Sequence, residues 1–195
     1  MNAPSRRAIL KSLTVGAVAG SVLRAIPLEA AQYAHSLIAA EKSDGSAYTP
    51  KFFSAGDYKT LQSLCETILP ADTDSGGAIE AGAPEFIDLI TSENSAHQQI
   101  LGPGIQWLDS SCTSRYGKPY TACAQNQQTE ILDLIAYRKN AEQDPSLTHA
   151  VDFFALLRSL TADGFFTSKI GIKYLGYKGN TYLESFPGCP PVPGV

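Results

Sequence analysis

The chain has 195 residues and a formal net charge of −4, with 44% hydrophobic and 17% charged residues. This composition is typical of a globular chain and excludes an intrinsically disordered one. The acidic balance, without a basic stripe interleaved with aromatic residues, argues against nucleic acid as a partner. Once an N-terminal segment is set aside, the length fits about one domain.

The N-terminus has the pattern of a twin-arginine export signal. Its motif residues are Ser5, Arg6, Arg7 and Lys11. An apolar run of eleven residues, 13–23, follows and is interrupted by Arg24. A membrane-spanning helix needs ~20 apolar residues, so this run has the length of a signal core instead. An ordinary buried N-terminal helix is the alternative. Because the twin-arginine translocase carries folded proteins across the bacterial inner membrane, we expect this chain to reach the periplasm.

The domain boundaries follow from this leader. We assign residues 1–31 to the signal segment, 32–50 to a polar linker and 51–195 to the folded domain. No clean small-residue cleavage motif ends the leader, so processing near Ala31 or Ala34 and retention of the segment both stay open.

Hydrophobic spacing predicts about five helices, with no alternating strand of convincing length between them. The first begins at Ser54, which forms a capping-box-like start with Asp57, and ends before Pro70. The loop that follows resembles the start of a calcium-binding loop at Asp72. We interpret it as a solvated loop, because position twelve is Ala83 and not the glutamate that calcium requires.

The later helices are predicted from their caps and breakers. Pro84 suits the first turn of the second helix, and the third should be kinked or split at residues 102–104, Gly-Pro-Gly. Asn126 should cap the fourth, and Ser146 should cap a fifth that stops near Gly164. The predicted fold class is therefore all-α, a small single-domain helical bundle with an irregular C-terminal tail.

The tail is rich in glycine and aromatic residues. Its rings must bury against another apolar surface, and two alternatives fit equally well: packing on the chain's own helices, or contact with a partner. The candidate interface residues are Phe165, Phe166, Tyr174, Tyr177, Tyr182 and Phe186.

Four cysteines allow three disulfide connectivities in an exported chain. We favour Cys112 with Cys123, which closes a short loop, and Cys65 with Cys189, which would fasten the tail to an early helix. Four buried thiols are the alternative.

Motifs for catalysis and cofactor binding are missing. The sequence contains no His-Glu-x-x-His, Gly-x-Ser-x-Gly, Gly-x-Gly-x-x-Gly or Walker motif, and His97 and His149 lie far apart without carboxylates at ligand-like offsets. We therefore predict no catalytic residue, no cofactor-binding residue and no metal ligand in this chain.

Several sequence blocks together resemble the gluconate 2-dehydrogenase subunit 3 family, from about Phe53 to Pro190. These blocks are residues 64–72 (LCETILPAD), 82–88 (GAPEFID), 107–109 (WLD), 116–118 (YGK), 153–154 (FF), 157–158 (LR), 164–168 (GFFTS), 175–180 (LGYKGN) and 186–190 (FPGCP).

The resemblance implies an accessory role. In that family the small subunit accompanies a large FAD-dependent dehydrogenase of the glucose–methanol–choline type, which often lacks an export signal of its own. It implies that the flavin subunit folds around FAD, docks on this chain and crosses the membrane with it. A cytochrome c subunit as electron acceptor, and membrane association through the complex, are further expectations. The substrate stays open among gluconate, 2-ketogluconate, free sugars and glucosides.

Other functions compete with this interpretation. The chain could be a stand-alone periplasmic carbohydrate-binding module that uses its C-terminal tyrosines as a stacking surface. A variant of the leading hypothesis is a tail that shapes the partner's substrate entrance. An enzyme in its own right would require turnover without a partner.

Overall fold

The computed structural model describes residues 26–43, 45, 47–177 and 179. Within these ranges all regular structure is helical, which confirms the predicted all-α class. The helices are α1 Leu28–Glu41, α2 Ala55–Ile68, α3 Ala83–Ser92, α4 Ser95–Tyr116, α5 Gln125–Ile135, α6 Arg138–Gln143, α7 Thr148–Phe166 and α8 Lys169–Tyr174, with 3-10 turns at Tyr120–Ala122 and Pro145–Leu147. The motif residues Ser5, Arg6, Arg7 and Lys11, and Tyr182, Phe186 and Cys189 of the tail, lie outside the described residues.

Helix α7 is the centre of the bundle. It packs most extensively against α3 and α4, and it also contacts α2, α5, α6 and α8. Since neighbours surround it, apolar side chains occupy most of its circumference. The largest fully buried side chains of the domain are Leu61, Leu64, Phe86, Ile87, Leu101, Ile105, Leu108, Tyr120, Ile131, Ile135, Phe153 and Leu157.

The segment predicted as a linker contains a helix. Helix α1 spans Leu28–Glu41, so the expected linker 32–50 is wrong over residues 32–41, and the last four residues of the expected signal segment also belong to α1. Ala31 and Ala34 are fully buried in the core. Alanine adds little to a hydrophobic pattern, yet its small side chain lets a helix approach its neighbour closely, and for this reason the sequence did not reveal α1.

The predicted starts of the next two helices are confirmed. Ser54 Oγ accepts a hydrogen bond from Asp57 N at 3.2 Å, and α2 ends at Ile68, two residues before Pro70. Helix α3 carries Pro84 in its first turn, as expected from a residue with no backbone N–H to satisfy.

The predicted break in the third helix is wrong in its stronger form. Helix α4 runs as one element from Ser95 to Tyr116 with Pro103 inside it. A proline inside a helix removes one backbone donor, and its ring crowds the carbonyl four residues earlier. Packing of α4 against α7, together with contacts to α2, α3 and α5, offsets this cost.

Two predicted caps are also corrected. Helix α5 begins at Gln125, where the N–H of Ala124 donates to Gln127 Oε1 at 3.0 Å, so Asn126 lies inside the first turn. Ser146 lies in the 3-10 turn before α7 and donates to Asp144 Oδ1 at 2.7 Å. None of the helices in the described ranges combines the length and apolar character needed to cross a bilayer.

Candidate functional site

The C-terminal end of α7 is the starting point of the candidate site. Ser168 caps α8 by accepting a hydrogen bond from Gly171 N at 3.1 Å. A Cβ on Gly171 would lie 2.1 Å from the carbonyl oxygen of Phe165, so only glycine lets α8 fold back this closely on the end of α7. The aromatic segment therefore continues the bundle and does not leave it as an irregular tail at Gly164.

A glycine-terminated cap ends α8. Gly176 has φ +62°, its N–H donates to Lys173 O at 3.0 Å, and the N–H of Tyr177 donates to Ile172 O at 3.2 Å. These two bonds form a Schellman motif, which satisfies the last carbonyls of a helix and turns the chain. The motif fixes where Leu175 and Tyr177 stand relative to α8.

This segment presents an apolar surface. Four of the eight exposed large hydrophobic residues in the described part of the chain lie between residues 166 and 177. We call them the tail surface: Phe166, Tyr174, Leu175 and Tyr177, whose exposed fractions are 36%, 52%, 58% and 51%. An exposed apolar patch on a folded domain is a candidate interaction surface.

Phe165, which was predicted together with them, is placed differently. It is only 4% exposed and belongs to the interior. Its ring meets Phe166 edge-on, with centroids 5.1 Å apart, and Tyr174 at 6.4 Å. Phe165 therefore packs beneath the two exposed rings. Both contacts have the edge-to-face geometry that aromatic pairs prefer. Of the two interpretations of the tail, packing on the chain's own helices applies to Phe165.

An open cleft of about 440 Å³ lies beside Tyr174. It separates α8 from the loop that joins α2 to α3, and its lining residues are Asp74, Ser75, Gly76, Glu80, Ile170, Lys173 and Tyr174. The lining thus combines two carboxylates and one ammonium group with the apolar side chain of Ile170 and the ring of Tyr174.

The loop on one side of the cleft is held by its own polar groups. Asp72 Oδ1 accepts hydrogen bonds from Ser75 N at 2.7 Å and Asp74 N at 2.8 Å. These bonds, first that of Ser75 and then that of Asp74, hold the pKa of Asp72 below its usual value. Glu66 accepts from Ala71 N at 3.2 Å. The loop interpretation is thus confirmed, and it is an ordered turn.

The cysteines were candidates for two disulfides. Cys65, Cys112 and Cys123 are free buried thiols, and no disulfide joins any pair of cysteines among the described residues. Burial, together with the neighbouring Cys123 thiol, raises the pKa of Cys112 to about 12. The thiols of the predicted Cys112–Cys123 pair interact, but the expected disulfide is not formed, and the alternative of buried thiols describes Cys65, Cys112 and Cys123 in this structure. Cys65 lies 3.6 Å from Thr161 Oγ1, and burial raises its pKa to about 12.

The buried carboxylate of Asp88 has a structural role. Asp88 is fully buried and accepts hydrogen bonds from the backbone N–H groups of Lys51, Phe52 and Phe53 at 2.6, 3.1 and 3.0 Å, and from Tyr48 Oη at 2.8 Å. This carboxylate anchors the segment before α2. Over the described ranges, no group of three histidine, cysteine, aspartate or glutamate side chains is arranged to hold a metal ion.

Sequence reasoning missed the aliphatic part of this site. Ile170 lines the cleft, and Leu175 is the most exposed member of the tail surface. Both positions are aliphatic, whereas the predicted interface residues are all aromatic. The signal that could have identified them is the pair of caps at Ser168 and Gly176, which delimit a short helix whose outer face includes these positions.

The fold and this surface define a small all-helical domain with an apolar surface at its C-terminal end. The family model for gluconate 2-dehydrogenase subunit 3 matches residues 55–188, more than half of the chain. The chain therefore belongs to the gluconate 2-dehydrogenase subunit 3 family, which confirms the resemblance read from the sequence. Neither the curated proteins nor the solved structures give a significant match to it.

Proposed function

We propose that this chain is the non-catalytic small subunit of a periplasmic dehydrogenase complex. The partner is a large flavoprotein of the glucose–methanol–choline type, which holds FAD and oxidises a sugar, a sugar acid or a glucoside. Membership of a family named for the third subunit of a dehydrogenase is the observation that carries this proposal. A cytochrome c subunit takes the electrons and associates the complex with the membrane.

The tail surface is the proposed contact with the flavin subunit. Permanent complexes bury ~2,000 Å² or more and have interfaces more apolar than the rest of the surface. Phe166, Tyr174, Leu175 and Tyr177 supply such apolar area, and tyrosine adds a hydroxyl at the rim. The family match covers this segment.

Export is the second part of the role. The leader with Arg6 and Arg7 belongs to a pathway for folded cargo, and a flavoprotein must fold around FAD before it leaves the cytoplasm. One leader on the small subunit is therefore sufficient to export both chains. This supports a periplasmic location for the assembled complex.

The interface is tested with a tagged full-length chain expressed together with the flavin subunit. The double variant Tyr174→Ala, Leu175→Ala should reduce the FAD and the dye-linked dehydrogenase activity that co-purify with the tag by about 30-fold, which corresponds to a loss of ~2 kcal/mol at a central contact. The matched control is Tyr137→Ala, because Tyr137 is 57% exposed but lies before α6, outside the tail surface. Equal losses in both variants, or a wild-type chain that brings down no flavoprotein, would refute the proposed interface.

Export is tested by location. Replacing Arg6 and Arg7 with lysine should leave the dehydrogenase activity in the cytoplasmic fraction while the complex still assembles. Unchanged periplasmic activity would contradict the carrier role without affecting the proposed interface.

A carbohydrate-binding module is the second candidate, and the cleft is the observation that favours it. Tyr174 borders this cleft together with Asp74 and Glu80, and an aromatic ring beside carboxylates is a common way to hold a sugar. Calorimetry of the isolated full chain with sugars separates the two functions. Heat of binding that disappears in Tyr174→Ala would favour the module, and turnover by the chain alone would refute both.

The tail could also shape the partner's substrate entrance. In that case Tyr177→Ala should change the Michaelis constant of the assembled complex while the yield of complex stays the same. An unchanged Michaelis constant in an intact complex would exclude this variant of the proposal.

A further inference from the structure

We infer that helix α1 is part of the mature protein, so that any cut by signal peptidase lies before Leu28 and not near Ala31 or Ala34. This inference rests on the proposed export of the chain by the twin-arginine pathway. It corrects the processing region that the sequence alone indicates, and it assigns the mature N-terminus to Leu28 or an earlier residue.

The backbone at both expected cleavage positions is helical and enclosed. Ala31 and Ala34 lie in the first and second turns of α1 and have no exposed surface, while Ala30 and Ile38 are each 6% exposed. Proteases cleave exposed chain that can be drawn out into an extended conformation. A cut after Ala31 or Ala34 therefore requires α1 to separate from the core first.

Specific contacts of residues that follow Ala34 in the sequence hold α1 against the rest of the domain. The ring of His35 stacks on Phe86 of α3, with centroids 5.0 Å apart and an interplanar angle of 16°. His35 Nε2 lies 3.0 Å from Thr167 Oγ1 at the end of α7. About two turns further on, just past the end of α1, Lys42 forms an ion pair with Glu85 of α3, a carboxylate that is largely buried.

In twin-arginine export the cargo folds before the signal peptidase meets it, so the burial of α1 determines which bonds can be cut. The cargo folds in the cytoplasm, so α1 is already docked when the peptidase meets the chain on the far side of the membrane. Cleavage hydrolyses one peptide bond with one water molecule, leaving a carboxylate on the leader and an amine on the mature chain. In the folded cargo, the peptide bonds after Ala31 and Ala34 are buried in α1, so the peptidase cannot reach them.

The N-terminus of the native protein provides the first test. Full-length chain is recovered from the periplasm in its complex, and its intact mass and N-terminal peptide are measured. A first residue at Leu28 or earlier, including an uncut Met1, agrees with the inference. A first residue at Gln32 or His35 overturns it while leaving the export proposal intact.

The second test measures the contribution of α1 directly and does not depend on export. Two chains are produced in the cytoplasm, one beginning at Ile26 and one at His35, and their thermal unfolding is compared. The chain that begins at Ile26 should keep the midpoint of the full-length protein. The chain that begins at His35 should unfold about 10 °C lower or fail to fold, because it lacks the buried first half of α1.

The two failures can be told apart. Equal unfolding midpoints for the two truncated chains would overturn the inference, whatever the location of the protein. If the full-length chain stays in the cytoplasm with Met1 in place, export is refuted, and the pair of truncated chains alone decides whether α1 belongs to the mature fold.

Discussion

Gly104 of α4 and Phe153 of α7 are in such close contact that a Cβ on Gly104 would lie 2.1 Å from both Cγ and Cδ2 of the ring. Phe153 is fully buried and cannot swing outwards. The contact explains why a helix tolerates the sequence Gly-Pro-Gly in its middle. The missing side chain lets α4 approach the central helix, and the apolar area buried there compensates for poor helix propensity.

The first prediction follows from this contact. Gly104→Ala should destabilise the domain by about 1–3 kcal/mol, because the added methyl group overpacks the core and outweighs the gain in helix propensity. Gly56→Ala in the first turn of α2 is the matched control, since Gly56 is exposed and its Cβ would lie 3.8 Å from Ser54 Oγ, at ordinary contact distance. That variant should be neutral or stabilised by ~0.5–1 kcal/mol. Urea unfolding of both variants measures the difference, and equal midpoints would contradict the prediction.

The second prediction concerns the anchor at Asp88. Asp88→Ala leaves three backbone N–H groups and the hydroxyl of Tyr48 without their acceptor, so the domain should lose about 3–5 kcal/mol. Tyr48→Phe removes only one of the four hydrogen bonds and should cost about 1 kcal/mol.

A double-mutant cycle separates this network from general loss of packing. Tyr48→Phe should have almost no further effect in the Asp88→Ala background, because its partner is already gone. Additive losses in the cycle would show that Tyr48 stabilises the domain by other means.

The helices that the sequence predicted well have both a regularly spaced apolar face and residues that mark where the helix begins and ends. Helix α2 has Leu61 and Leu64 on its buried side, a serine cap at its start and Pro70 just beyond its end. Each of these signals acts within the helix itself. They could therefore be recognised without knowledge of any tertiary contact.

The elements that the sequence did not predict depend on tertiary contacts. Helix α1 buries alanines, and its place in the fold is set by contacts such as that of His35 with Phe86, which join distant parts of the chain. Helix α8 has only six residues, too few for a periodic pattern, and it depends on Gly171 packing against the backbone of Phe165. For the same reason the exposed face of the candidate site was only partly predicted.

The third prediction is a dependence of stability on pH through Asp163. Its Oδ2 atom is buried without a hydrogen-bond partner among the described residues, and burial raises the pKa of Asp163 to about 6. The folded state therefore holds this proton more tightly than the unfolded state, and stability should fall as pH rises from about 4 to about 6. Because Asp163 is only partly buried, solvent screening limits the loss to about 1 kcal/mol.

Two variants isolate this effect. Asp163→Asn should be about 1 kcal/mol more stable than the wild type near pH ~7.5 and equal to it near pH ~3.5. His35→Gln should behave in the opposite sense, because burial lowers the pKa of His35 and protonation below about pH 6.5 opposes the wild-type fold. Thermal unfolding across this pH range measures both, and a constant difference between Asp163→Asn and the wild type would contradict the assignment.

The last prediction concerns the thiols of Cys112 and Cys123, which the fold brings together with ten residues between them. We expect oxidation in the periplasm to join them and to stabilise the domain by about 2–3 kcal/mol, as for other loops of this size. The raised pKa of Cys112 keeps the reactive thiolate scarce, so closure should be slow in the folded protein without a catalyst. Peptide mapping of the non-reduced periplasmic protein identifies the bond, and a reductant should lower the unfolding midpoint of the wild type but not of Cys112→Ser. Recovery of both thiols in alkylated form from the native protein would instead favour four buried thiols.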